Sequence, residues 1–144
     1  VVISTDAVEH DYDTAAFGDP MGLICFKDEQ RVDIPADKTI ADNLVKACES
    51  LENTTVLTGR IATGDQFIST TEKRLALGRE FNALACEMEG GAVGHTCYRN
   101  NVPFAILRSI SDDLTNSTSM DYESFKAFAA DKTTTVLSEY IKNM

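Results

Sequence analysis

Apolar positions along the chain alternate between short β-branched runs and longer stretches at helical spacing. Residues 1–8, VVISTDAV, have the content of a buried strand. Residues 10–22 are rich in turn formers, and an Asp-Pro pair among glycines marks a loop carrying Phe17. That loop reads either as an ordinary connection or as a lid or subunit contact. From Pro35 the pattern predicts a helix, with Asp37 as its cap and Ile40, Leu44, Val45, Cys48 and Leu51 on one face. Residues 54–63 read as a second strand, interrupted at its carboxyl end by Gly64, Asp65, Gln66, Phe67 and Ile68. A short helix follows, starting near Thr70 or Thr71, with Leu75, Leu77 and Phe81 as its apolar positions.

The chain is organised around residues 83–113, which read as a strand, a Gly-Gly turn, a helix, a turn at Pro103 and a strand over 104–110. A polar loop follows, in which Thr118 and Asp121 have capping-box spacing. Phe125, Phe128, Ala129, Val136, Leu137, Tyr140 and Ile141 then mark one face of a closing helix, a stripe that reads as core packing. Strands alternating with helices predict an α/β fold, a mixed, largely parallel sheet flanked by helices. The whole of 1–144 reads as a single domain. The chain has no initiator Met and opens inside an apolar run, so the expectation is a domain incomplete at its N-terminus.

Thirteen basic against 23 acidic residues give a net charge of −10, which argues against a nucleic-acid partner. No apolar run reaches membrane-span length, and no signal-peptide pattern opens the chain. Cys25, Cys48, Cys86 and Cys97 form no CxxC pair and no metal-ligand spacing; they read as reduced, buried thiols of a cytoplasmic protein. His10 and His95 form no ligand cluster either, so no metal is expected.

Candidate chemistry lies where strands run out, the usual place for ligands in open α/β sheets. Glu87 and Glu89 are two apart, and on a continuing strand they would share a face and crowd one another. Such a pair could grip a vicinal diol, or could merely favour a helix N-terminus through its dipole. Gly90-Gly91 would let the backbone approach a ligand. Asp112, after the last strand, could act as a general acid, or could pair with Arg108 or cap a turn. Phe67 could stack on a planar heterocycle or pack under its loop. Together these groups make an inventory for a nucleoside: base stacking, diol binding and base protonation.

The residues ACEMEGGAVGHTCYRNNVPFAILRSISD closely resemble the AVEMEA…VPF…R-ISD signature of bacterial 5′-methylthioadenosine/S-adenosylhomocysteine nucleosidases, of the purine nucleoside phosphorylase superfamily. TGRIATGDQFIS resembles that family's SGDAFI segment, and HDYDTAAFG its HD-D-TAFG loop, so the likeness spans nearly the whole chain. It implies a nucleoside phosphorylase-like fold and hydrolysis of the N-glycosidic bond, in methionine salvage, with no metal or cofactor. By position, Phe67 would stack on adenine and the Ile68 backbone would bind its edge. Glu89 would hold the ribose hydroxyls, Met88 would pack on the sugar and Glu87 would lie in the same sugar-facing segment. Asp112 would protonate purine nitrogen 7. Phe17 would reach the partner's 5′-alkylthio pocket in a homodimer.

Two departures accompany the likeness. The family's water-activating glutamate and its Gly-rich Ser/Thr segment have no counterpart in this sequence. After Phe17, GDPMGLICFKDEQ also diverges from the family's usual continuation, with Cys25 roughly where a proline often stands. A phosphorolytic purine nucleoside phosphorylase, and a non-catalytic fragment retaining purine affinity or the dimer interface, remain alternative readings.

Overall fold

A computed structural model of the chain describes residues 1–110 and 122–144, with side chains for 1–110 and 126–144. Its centre is β1 (Val2–Glu9), in which Val2, Ile3, Ala7 and Val8 are all buried. Burial on both faces is what a continuous apolar run produces in an α/β sheet. On one side β1 pairs in parallel with β5 (Leu57–Thr63), which pairs in parallel with β6 (Ala83–Glu87). On the other side it pairs antiparallel with two short strands, β4 (Asp33–Pro35) near its carboxyl end and β7 (Leu107–Arg108) near its start. A separate hairpin joins β2 (Ile24–Cys25) to β3 (Gln30–Arg31). The sheet is thus mixed, with a parallel centre.

The helices begin where their caps dictate. Asp37 accepts from the Ile40 amide at 2.9 Å and opens α1 (Lys38–Cys48), so Pro35 belongs to β4 rather than to the helix. Thr70 accepts from Lys73 N at 3.3 Å and opens α2 (Thr71–Phe81), which Asn82 ends in the left-handed conformation. α3 (Gly90–Arg99) follows β6, and α4 (Tyr122–Lys142) closes the chain. Leu44, Ala47 and Cys48 of α1 pack with Ile3 and Val136, with Ile40, Val45 and Leu51 around them. Phe81 of α2 packs on Val8 and Ala62, while Phe104 joins Ile24 and Ile34.

Three expectations change. The strand foreseen over 104–110 is reduced to two paired residues, bonded to β1. Its neighbour Ile106 exchanges bonds with buried Ser4, donating to Oγ at 2.7 Å and accepting from Ser4 N at 2.9 Å. The closing helix is not one continuous core stripe either: Val136 is buried and Tyr140 half-buried, but Phe128, Leu137 and Ile141 face solvent. The residues foreseen as its capping box lie outside the described residues. Finally, Cys25 is exposed, although Cys48 is buried; all four thiols are free.

Replacing the fully buried Ile61 by Ala should cost about 2–5 kcal/mol in urea unfolding, whereas Ile141→Ala should stay within about 0.5 kcal/mol. Brief alkylation read by mass spectrometry should label Cys25 well before Cys48, whose thiol pKa is pushed up by burial.

Candidate functional site

The carboxyl ends of the three parallel strands are tied together by backbone. His10 N, just past β1, donates to Thr63 O at 2.8 Å, and Gly64 N donates to Glu87 O at 3.2 Å. Asp11 extends the tie by accepting from Asp65 N at 2.7 Å. Gly64 is required by this approach: a Cβ there would lie 2.4 Å from His10 Nε2. The segments that leave these ends, 64–68 and 88–89, therefore start from neighbouring points.

The two acids of that cluster do different things. β6 stops at Glu87 and Glu89 is already the N-cap residue of α3, so they do not share a strand face. The side chain of Glu87 is 2% exposed and that of Glu89 66%. Glu87 turns onto the helix start, where Oε2 accepts from Glu89 N at 3.0 Å and Gly90 N at 2.7 Å. Oε1 accepts a short hydrogen bond from the Thr63 hydroxyl. Of the two readings, helix-terminus stabilisation describes Glu87. Its place is inside the segment, as support, rather than on its outer surface.

Glu89 makes no side-chain cap bond, and its carboxylate lies 3.1 Å from Arg108 Nη2, whose Nε is 3.9 Å from Glu87. Arg108 was not singled out as a site residue. Its signals in the sequence were a charge inside an apolar run and its place in the R-ISD stretch. Thr63 was also missed, because a threonine at a strand end is unremarkable until its neighbours are known. Gly91 has a local packing reason of its own: a Cβ there would meet Thr63 Cβ and Oγ1 at 2.6 Å.

Phe67 is 79% exposed beyond β5, so it does not pack under its loop. Ile68 is half-buried, and its carbonyl accepts from Arg74 Nε at 3.2 Å. Met88 is partly exposed between the two acids. Phe17 ends a 3-10 turn, Ala15–Phe17, and is 86% exposed. Asp112 lies outside the described residues. Two open clefts of about 510 and 520 Å³ flank Tyr98, but neither is lined by Phe67, Glu89 or Arg108. No group of three His, Cys, Asp or Glu residues suited to a metal ion occurs among the described residues.

The sequence signature of the phosphorylase superfamily matches residues 1–142. The chain belongs to that superfamily. Relatives in it include the 5′-methylthioadenosine/S-adenosylhomocysteine nucleosidases of Shewanella loihica, 31% identical over 145 residues, and of Psychromonas ingrahamii, 33% identical over 145. Both alignments cover 100% of this chain and 62% of the relative. The crystal structure of the Campylobacter jejuni nucleosidase superposes with a TM-score of 0.87 at 29% identity, covering 99% of this chain and 61% of that one. A Helicobacter pylori nucleosidase variant with 5′-methylthioadenosine in its active site gives 0.84 at 30%, covering 99% and 60%. The chain thus spans about three-fifths of the length of these superfamily members. The α/β fold with a partly parallel sheet is the fold of these nucleosidases.

The close approach at Gly91 has a measurable consequence. Gly91→Ala should destabilise the protein by about 1–3 kcal/mol through overpacking on Thr63. Gly78→Ala, in α2 where a Cβ meets only ordinary contacts, should stabilise it by about 0.5–1 kcal/mol. Urea unfolding of the two variants gives both values.

Proposed function

We propose that the protein is an N-glycosidase that hydrolyses 5′-methylthioadenosine and S-adenosylhomocysteine to adenine and the corresponding thioribose product. The observation that carries this reading is the division of labour between the acids. Glu87 is consumed in holding the helix start, and Glu89 is presented to solvent beside it. A carboxylate placed so can accept from both hydroxyls of a ribose, and exposed Phe67, leaving the adjacent strand end, offers a ring for the purine. Relatives 31% and 33% identical to this chain are named for this activity.

In the reaction the C1′–N9 bond breaks and its electron pair leaves with the purine. Asp112 donates a proton to nitrogen 7, so adenine departs neutral. Water adds its oxygen to C1′ and releases a proton. Positive charge grows on the sugar meanwhile, and Glu89 stabilises it through the hydroxyls it holds. Met88 packs on the sugar, and the Ile68 backbone binds the adenine edge. No cofactor enters these steps.

The protein acts as a homodimer, with Phe17 reaching into the partner's 5′-substituent pocket; an exposed phenylalanine on a 3-10 turn supports that contact. A cytoplasmic location accords with four free cysteines, and among the described residues no helix is long and apolar enough to cross a membrane.

Adenine release from 5′-methylthioadenosine by the full-length gene product, first without and then with phosphate, tests the assignment. Release without phosphate is expected. Asp112→Asn should lower kcat by ~100- to 10,000-fold, the usual span of general acid catalysis. Release only with phosphate would make the protein a phosphorylase, and none in either buffer would leave a non-catalytic purine-binding protein.

A further inference from the structure

The buried hydrogen bonds beneath the acid pair assign a task to a residue outside the reacting groups. We propose that Thr63 is a positioning residue: its hydroxyl orients Glu87, and Glu87 in turn sets the turn and the arginine that aim Glu89. The role rests on the reading of Glu89 as the ribose-binding carboxylate.

The geometry runs through one hydroxyl. Thr63 is the last residue of β5 and is buried, so its side chain must satisfy both its donor and its acceptor capacity inside the protein. It donates to Glu87 Oε1 and accepts from Gly91 N at 2.7 Å. One oxygen therefore bridges the ends of β5 and β6 and the first turn of α3. Because Thr63 fixes Oε1, Oε2 is held where the amides of Glu89 and Gly90 both reach it.

Glu89 is then governed by two routes, and both pass through Glu87. Its backbone is fixed by the 3.0 Å bond from its own amide to Oε2. Its carboxylate is paired at 3.1 Å with Arg108, whose guanidinium also lies 3.9 Å from Glu87. Serine can repeat the threonine hydroxyl's two bonds. Valine has nearly the same shape and can make neither.

Steady-state kinetics on 5′-methylthioadenosine with the full-length gene product, together with amide hydrogen exchange, test the relay. The contact to the ribose hydroxyls tightens as the sugar gains charge, so its misplacement should fall on kcat more than on KM. Thr63→Val is expected to lose about 10- to 100-fold in kcat, the scale of a misplacement near 1 Å. Thr63→Ser should recover most of that loss. The amides of Glu89, Gly90 and Gly91 should exchange faster in the valine variant and near the native rate in the serine variant.

Native kcat in Thr63→Val, or equal losses in the valine and serine variants, would overturn the proposal. If Thr63→Val does not fold, Glu87→Gln, which keeps the shape without the charge, should lower kcat in the same way, and native kcat there would count against the relay. If the native protein releases no adenine, the nucleosidase reading fails on its own. The relay is then judged by exchange alone, and unchanged protection of those three amides in Thr63→Val sinks it.

Discussion

A carboxylate can sit inside a protein only where its oxygens are supplied with donors, and Glu87 meets that condition at the point where β5 and β6 end and α3 begins. Three donors converge on it, one hydroxyl and two backbone amides. The amides are among those that any helix leaves without partners in its first turn. The helix dipole favours a negative charge at the same place. The buried charge and the unfinished helix start therefore stabilise each other, and removing either would leave the other exposed to the full cost of desolvation.

From that fixed point the rest of the site takes its form. The strand ends before Gly64 and Met88 are joined by backbone, so the aromatic and acidic segments leave from adjacent positions. Arg108 spans the buried and exposed acids and couples the residues after α3 to those before it. An acidic protein that carries a net charge of −10 also needs a local cation to keep two carboxylates so close, and Arg108 supplies it.

The sheet that presents these ends is anchored from its far side. Arg60 of β5 pairs with Asp6 of β1 at 2.5 Å and donates to Phe81 O at 3.0 Å, linking two parallel strands to the end of α2. Ser4 binds Ile106 across 102 residues of sequence, drawing the chain after α3 back to the central strand. These bonds are partly buried, and they set the register on which the alignment of strand ends depends.

Sequence by itself determined the three parallel strands, the four helices and the caps of the first two helices, but not the short strands within residues 24–35. β-branched runs, helical spacing, Asp37 and Thr70 are local signals, and each acts within a few residues of itself. Motif likeness also pointed to the superfamily, and it implied an inventory of Phe67, Glu87, Glu89 and Asp112. Only the tertiary structure decided which acid of the pair is buried, because that depends on Thr63, 24 residues upstream of Glu87. It also decided that residues 107–108 pair with β1, and that much of the last helix's apolar stripe faces solvent. Periodicity records which face of an element is apolar, but it carries no record of what that face meets. The partners of Glu87 and Arg108 are set by how strands and helices converge in space, and the linear pattern does not contain that convergence.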